Sequence, residues 1–311
     1  MKCFTSPGDE VIMPTCSFVG AANAVISCGA GVVFCDVDKR TLNATAESIE
    51  EKITPKTKAV CIIHFGGVPC EMDEIVKLCA DKNIVLIEDS ATAVSSFYKG
   101  KACGTFGQAG LWSFDAMKIL VCGDGGMIYV KDEEKLKYLR QNMYLGLVSQ
   151  SGFTNTVDSK WWEFQIDTFG RRSIMNDISS AIGLVQLEKL PEFIARRKKI
   201  AELYDSLLAD ETWIDRPLKL KDYQISSYYM YHIQMKNPKD RDGLAKYLRE
   251  NNIYTTFRYY PLHWVDMYEQ KSEHLPNAET AALSTLCLPI HQTLSDEDVE
   301  FICQKIISFK R

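Results

Sequence analysis

A lysine and an aspartate of this chain could together carry out amine chemistry. Asp89 ends the apolar segment Ile84–Asp89, and Lys118 follows the next apolar segment, Leu111–Phe114. A lysine amine can form a Schiff base with the aldehyde of pyridoxal phosphate, and a carboxylate can keep the pyridine nitrogen of that cofactor protonated. A lysine after a strand is usually a surface charge, and an acid at a strand end is usually a helix cap. The two residues in this order, each at or after the end of a strand that looks buried, are more specific evidence for this chemistry than either residue alone.

These two residues need a rigid support, and the sequence predicts a sheet covered by helices. Short β-branched runs alternate with amphipathic stretches from residue 10 to about residue 145, which is typical of parallel sheets. The predicted strands are Glu10–Met13, Val32–Asp36, Ala59–His64, Ile84–Glu88, Gly110–Phe114 and Met127–Lys131, and the predicted helices are Phe18–Ser27, Met72–Lys82 and Glu133–Tyr144. We therefore expect an α/β fold with a mixed, mostly parallel sheet and helices on both faces.

The second half of the chain indicates a smaller domain. Residues 175–208 have helical apolar spacing, with a break or a kink expected at Pro191. The later pattern predicts strands at Tyr228–Met235 and Ile253–Tyr259 and helices at Arg241–Asn251 and Asp296–Phe309. We expect a large domain over residues 1–209 and a small α+β domain over residues 210–311. Residues 151–172, with Trp161 and Trp162, are predicted to form a long loop over an active site or at a subunit contact.

Composition is that of an ordinary soluble globular protein. The 311 residues are 46% apolar and carry a net charge of −5, which gives no basic field for nucleic acid or an anionic membrane. No apolar run reaches the roughly 18 residues that a membrane helix needs. The eleven cysteines are scattered from Cys3 to Cys303 without a zinc-type grouping. Their odd number, without a signal peptide, indicates reduced thiols in the cytoplasm.

Several segments resemble one enzyme family. They are Gly8–Ile12, Thr57–Val60, Ile87–Asp89, Ser113–Phe114 with Lys118, Gly123–Gly126, Met175–Ile178, Gln186–Leu190, Tyr260–His263 and Leu288–Pro289. In this order they resemble the DegT/DnrJ/EryC1/StrS family of sugar aminotransferases. The resemblance covers nearly the whole chain. It implies a large domain like that of aspartate aminotransferase and pyridoxal 5′-phosphate as the cofactor.

The resemblance also implies roles for residues around the lysine. Lys118 would form the Schiff base and move the proton during amino transfer, and Asp89 would bind the pyridine nitrogen. Phe18 would stack on the cofactor ring, although it could be an ordinary core phenylalanine, and Ser113 would donate to the cofactor phosphate. Thr92 stands where many members have a glutamine or histidine that binds the ring oxygen. A threonine would make that contact directly, through water, or not at all.

Four further candidates also have ordinary structural interpretations. Arg172, with Ser173, is predicted to support the cofactor phosphate of the other subunit, or else Arg171 and Arg172 are a solvated pair. Arg258 could bind the donor's carboxylate or the acceptor's diphosphate, or be a solvated arginine at a strand end. His64 ends the predicted strand Ala59–His64, at the carboxyl end where α/β sites collect, and is a secondary candidate for substrate binding, but it could equally be a neutral core histidine.

One part of the family pattern, a turn that binds the cofactor phosphate, has no counterpart in this sequence. Family members have a turn of small residues before the segment that matches Gly8–Ile12, and this turn opens a helix that binds the cofactor phosphate. We expect the chain to lack roughly the first fifty residues of the family, which leaves its cofactor affinity open.

The resemblance implies amino transfer from glutamate to a keto sugar, linked to a nucleotide, in amino-sugar or surface-polysaccharide biosynthesis, by a homodimer with shared sites. An aminotransferase for a smaller keto compound stays open, and so does a truncated or non-catalytic homologue with an assembly or regulatory role. Lys118 argues against sugar dehydratases of the same fold, because those relatives replace the lysine by histidine. A Rossmann dehydrogenase is excluded because no predicted strand precedes a G-x-G-x-x-G turn.

Overall fold

A six-stranded, mostly parallel sheet forms the centre of the structure, a computed structural model that describes residues 1–148 and 164–309. The strands are β1 Glu10–Pro14, β2 Gly31–Cys35, β3 Thr57–Ile63, β4 Val85–Asp89, β5 Phe97–Tyr98, β6 Lys101–Ala102, β7 Ala109–Ser113, β8 Gly126–Val130, β9 Ile214–Asp215, β10 Gln224–Ile225, β11 Tyr231–Met235 and β12 Thr285–Leu288. The central order is β2-β1-β3-β4-β7-β8, in which β8 runs antiparallel to β7. Asp89 and Ser113, which end the neighbouring strands β4 and β7, therefore lie at the same edge of the sheet.

Helices cover both faces of this sheet. The helices of the described residues are α1 Val19–Ile26, α2 Ala46–Glu50, α3 Met72–Asp81, α4 Glu133–Met143, α5 Asp177–Leu207, α6 Lys239–Glu250, α7 Pro276–Ser284 and α8 Asp296–Ser308, with 3-10 turns at Phe65–Gly67, Leu262–Trp264 and Asp266–Tyr268. Val11 packs in one buried cluster with Val25 of α1, and the next residue, Ile12, packs in another with Ile75 of α3. Since successive strand residues point to opposite faces, both faces are buried. The predicted α/β fold is confirmed.

The second half of the chain builds its own core. Strands β12, β11 and β9 form an antiparallel sheet, and its side chains pack against α6, α8 and the second half of α5. Tyr204 of α5 and Ile233 of β11 are fully buried there. We propose that the large domain ends near residue 209, just after the end of α5, because the strands of this core, β9, β11 and β12, all lie after that residue. Strand β10 crosses back to pair with β5 of the first half.

One expected strand of the second half is corrected, and the expectation for Pro191 is narrowed. Residues 253–259 do not form a strand, because only Thr256 pairs, in an isolated bridge with Cys287 of the short strand β12. Pro191 does not break α5, which continues over 31 residues, so of the two expected effects the kink stays a prediction. An interior proline costs about 3 kcal/mol, and buried residues on both sides, Leu190 and Ile200, hold the helix in place. The predictions for Trp161 and Trp162 lie outside the described residues.

Within residues 1–148 and 164–309, no helix combines the length and the apolar character that crossing a membrane requires. The same residues contain no group of three or more side chains suited to hold a metal ion.

Candidate active site

Lys118 lies in the loop that follows β7 and lines a cleft of about 880 Å³. Its backbone N–H donates to the carbonyl of Asp115 at 2.9 Å, which fixes the loop locally. The cleft is bounded by this loop on one side and by residues of the second half of the chain on the other, among them Tyr229, Arg258 and His291. A reactive amine at the wall of a cleft this large can meet a substrate of nucleotide size.

Asp89 lies in the interior at the carboxyl end of β4, with 7% of its surface exposed. Among the described residues, one hydrogen bond reaches its carboxylate, from the Ala91 N–H at 3.0 Å. Burial raises the pKa of Asp89, and the Ala91 N–H and the charge of Lys118 act against that rise. A buried carboxylate with so little compensation is suited to a cationic partner.

The same environment acts on the lysine. Burial lowers the pKa of Lys118, the carboxylates of Asp89 and Asp115 partly oppose this, and the cation of Arg258 adds to it. A larger fraction of the amine is therefore neutral near pH 7 than for a surface lysine. A neutral amine is the form that can attack an aldehyde or accept a proton.

Phe18 is exposed and Ser113 is half-buried, as contacts with a cofactor would require. Phe18 precedes α1 and is 58% exposed, with its ring centroid 6.0 Å from that of Tyr259. It is thus not an ordinary core phenylalanine. The Ser113 hydroxyl accepts from the Asp115 N–H at 3.4 Å, a long bond that a better acceptor group nearby could replace. Their contacts with a cofactor stay predictions.

Thr92 and His64 belong to the interior. The Thr92 hydroxyl donates to the His64 carbonyl at 2.8 Å, so a direct donation to a cofactor oxygen would require breaking this bond. His64 is completely buried; its Nδ1 accepts from the Cys70 N–H at 3.1 Å, and its Nε2 lies 3.1 Å from the Glu88 carboxylate. This geometry favours the structural interpretation of His64 as a satisfied core histidine.

Glu88, the residue before Asp89, supports the site from the opposite face of β4. Its carboxylate accepts from the backbone N–H groups of Gly104 at 2.7 Å, Phe106 at 2.6 Å and Gly107 at 2.7 Å. Burial opposes ionisation, but His64 and these backbone donors outweigh it and lower the pKa of Glu88. The carboxylate ties β4 to the loop that enters β7. A second acid inside the apolar segment Ile84–Asp89 was the sequence signal for such a buried acceptor.

Glu88→Gln is expected to lower the free energy of unfolding by about 3 kcal/mol, because one amide oxygen cannot replace two carboxylate oxygens that accept charge-assisted bonds. A folded-state pKa below the ordinary value gives stability that is complete above the unfolded pKa and lost as the pH falls through the folded one. The difference from the parent should therefore shrink in acid. Urea unfolding at several pH values measures it. Glu50→Gln, which breaks an exposed pair with Lys82, is the control; equal effects of the two changes would contradict the role of Glu88.

Arg172 and Ser173 do not line the Lys118 cleft of their own chain. Arg172 is exposed and forms an isolated bridge with Tyr144, and its guanidinium lies 5.9 Å from the centroid of that ring. The Ser173 N–H donates to the Met143 carbonyl at 2.9 Å. Both side chains are thus held at the end of α4 and face outward, as a cross-subunit contact would require. That role stays a prediction.

Arg258 is in the cleft, together with two residues that the sequence did not single out. Arg258 Nη1 donates to the Tyr229 hydroxyl at 2.9 Å. Arg197 of α5 is 5% exposed and donates to the carbonyls of Tyr229 at 3.4 Å and Ile290 at 3.0 Å. Burial lowers the pKa of Arg197 to about 10. Tyr229 lies in a tyrosine-rich run that predicts only a strand, and Arg197 in a basic run that predicts only a solvated helix face.

The chain is similar to known proteins in its sequence and in its fold. A model of the DegT/DnrJ/EryC1/StrS aminotransferase family matches residues 2–307. The dTDP-4-dehydro-2,3,6-trideoxy-D-glucose 4-aminotransferase of Saccharopolyspora spinosa is 49% identical over 300 residues, which cover 96% of this chain and 77% of that protein.

Solved structures show the same fold. The aminotransferase TlmJ from Streptoalloteichus hindustanus has a TM-score of 0.92 at 48% identity, over 98% of this chain and 80% of that one. The PLP-form of the putative sugar aminotransferase Spr1654 from Streptococcus pneumoniae has a TM-score of 0.87 at 27% identity, over 96% of this chain and 80% of that one. The family resemblance read from the motifs is confirmed, and the chain belongs to the DegT/DnrJ/EryC1/StrS aminotransferase family.

Proposed function

We propose that this protein is a pyridoxal-phosphate-dependent aminotransferase that moves an amino group from glutamate to a keto sugar linked to a nucleotide. The observation that carries the proposal is the position of the buried Asp89 at the carboxyl end of β4, beside the strand β7 whose following loop places Lys118 at the cleft. Membership in an aminotransferase family supports the reaction type. The 49% identical relative, named for a dTDP-linked keto sugar, supports the acceptor class.

The residues present fit pyridoxal phosphate. Asp89 is a buried carboxylate without a hydrogen-bonded cation among the described residues, and a protonated ring nitrogen would supply one. The exposed ring of Phe18 would cover one face of the cofactor, and the Ser113 hydroxyl would bind its phosphate. When bound, the cofactor supplies an aldehyde for an amine and a ring that accepts an electron pair.

Three residues of the chain would then have distinct roles in amino transfer. Lys118 would use Nζ to accept and return a proton, which its lowered pKa favours. Asp89 would keep the proton on the ring nitrogen through a charge-assisted hydrogen bond. Phe18 would exclude water from the ring face, and stacking of this kind adds about 0.5 to 1.5 kcal/mol beyond the buried area.

The cleft suits anionic substrates. Among the described residues that line it, Lys118, Arg197 and Arg258 are basic and Asp298 is acidic. Glutamate carries two carboxylates and a nucleotide-linked sugar carries a diphosphate, and guanidinium groups bind both kinds of oxyanion well. We propose that Arg258 binds one of these anions.

We further propose a homodimer with shared active sites. Large apolar side chains are exposed along the first half of α5 and the segment before it, namely Phe164, Phe169, Ile174, Ile178, Ile182 and Leu184. Large apolar side chains that remain exposed in one segment support a subunit interface there. All eleven cysteines are free, which supports a cytoplasmic location.

Arg172→Ala is expected to weaken binding of pyridoxal phosphate about tenfold in a folded dimer, because a charge-assisted contact to the phosphate of the neighbouring site is lost. Cofactor titration followed by absorbance measures this, with size-exclusion chromatography to establish the dimer. Arg171→Ala, which removes an adjacent exposed guanidinium, is the matched control. Unchanged affinity in Arg172→Ala would contradict the assignment.

A two-step assay tests the function itself. Glutamate added to the cofactor-loaded protein should convert the cofactor to its amine form and release one 2-oxoglutarate per site, and a dTDP-linked keto sugar should then restore the aldehyde form. No conversion by glutamate would contradict the proposal and favour the non-catalytic homologue. Restoration by a small keto compound but not by the nucleotide-linked sugar would contradict the acceptor class.

A further inference from the structure

Tyr229 connects the lysine loop to the small domain. Its hydroxyl donates to the carbonyl of Met117, the residue before Lys118, at 3.0 Å. The same hydroxyl accepts from Arg258 Nη1 at 2.9 Å. Its ring faces Lys118, with Nζ 5.3 Å from the ring centroid. One side chain thus contacts both cations that we place in the chemistry.

The tyrosine is itself held firmly. It is 6% exposed and packs in a buried cluster with Ile119, Leu120 and Leu190. Its backbone carbonyl accepts from Arg197 Nη1 at 3.4 Å. The ring and the hydroxyl therefore have little freedom to move, and the groups attached to them take a defined position.

We propose that Tyr229 is a positioning residue for this site: its ring face carries the ammonium of Lys118, and its hydroxyl ties Arg258 to the backbone of the lysine loop. The proposal rests on the role proposed above for Lys118. In this arrangement Tyr229 contacts both groups, and it therefore sets the distance between the Lys118 amine and the Arg258 guanidinium.

The charges around the amine show what this arrangement does. Asp89 and Asp115 favour the charged form of Lys118, and burial and Arg258 disfavour it. The face of an aromatic ring also favours an ammonium. Tyr229 therefore acts on Lys118 in two opposite directions, directly through its ring and indirectly by holding Arg258 in place.

The contribution of the ring is tested by the pH dependence with which acetic anhydride modifies Lys118 in the cofactor-free protein, followed by peptide mass spectrometry. Tyr229→Phe and Tyr229→Leu both lack the hydroxyl, so their difference isolates the ring. The pKa of Lys118 should be about one unit lower with leucine than with phenylalanine. Tyr247→Phe, which removes a surface hydroxyl bonded to Ser308, is the control and should match the parent. Equal values in the leucine and phenylalanine variants would overturn the role of the ring.

The tie to Arg258 is tested by a double-mutant cycle in the same assay. Arg258→Gln should raise the pKa of Lys118 in the parent, because a nearby cation is removed. In the Tyr229→Phe background the rise should be less than half as large, because the guanidinium is no longer held beside the loop. An equal rise in both backgrounds would overturn the tie, and this cycle stands even if the leucine variant does not fold. Neither experiment needs turnover, so their failure is distinct from a failure of amino transfer.

Discussion

Lys118→Ala is expected to abolish amino transfer and to leave the protein folded. The variant lacks the amine that would bind the cofactor and move the proton, so turnover should fall at least about a thousandfold. Folding should persist because the pKa of Lys118 is lowered by burial, which means that its charged form is disfavoured in the native state. Release of 2-oxoglutarate from glutamate measures the activity, and urea unfolding measures the stability.

Two further lysine variants make this result specific. Lys118→Arg keeps a cation at the site but cannot form the covalent link, and it should be as inactive as the alanine variant. Lys99→Ala removes an exposed lysine that pairs with Asp73 on the surface, and it should keep activity within about twofold. Activity of Lys118→Ala within tenfold of the parent would show that another group performs the chemistry.

Asp89→Asn is expected to lower turnover by about a hundred- to a thousandfold, because a neutral amide cannot hold a proton on the pyridine nitrogen. Although the substitution lowers turnover, it should not lower the stability of the cofactor-free protein. Burial raises the pKa of Asp89 in the folded state, so the charged carboxylate reduces stability above that pKa, and the reduction disappears as the pH falls below the unfolded value. The asparagine variant should be at least as stable as the parent at neutral pH.

The measurement for Asp89 is paired. Amino transfer is followed at saturating cofactor, and unfolding of the cofactor-free protein is followed between acid and neutral pH. Asp73→Asn, on the surface, is the control for both. A loss of more than about 1 kcal/mol of stability at neutral pH would show that Asp89 has a structural role, and unchanged turnover would remove it from the proposed mechanism.

The central sheet could be predicted because its strands are short apolar runs separated by amphipathic helices. Asp89 and Lys118 could be proposed for the same reason, since Asp89 ends such a run and Lys118 follows one. Residues 253–259 show the limit of this approach. Their composition favours a strand, but a strand needs a partner, and β12 pairs only with Thr256 there.

Residues that act through long-range contacts were harder to predict. Tyr229 meets Met117, more than a hundred residues away in the chain, and no local pattern encodes that contact. His64 followed a strand at the correct edge of the sheet, but the buried carboxylate of Glu88 and the Cys70 amide bind its ring. Whether a polar side chain faces the cleft or the core depends on neighbours brought in by the fold.

The most direct test of the central claim is to locate the covalent attachment of the cofactor. The protein is loaded with pyridoxal phosphate, reduced with borohydride, digested and mapped by mass spectrometry. The structure predicts a pyridoxyl group on Lys118, and its absence after prior treatment with excess glutamate. A stable modification of a different lysine, or none in a folded dimer, would contradict the assignment of Lys118 as the residue that binds the cofactor.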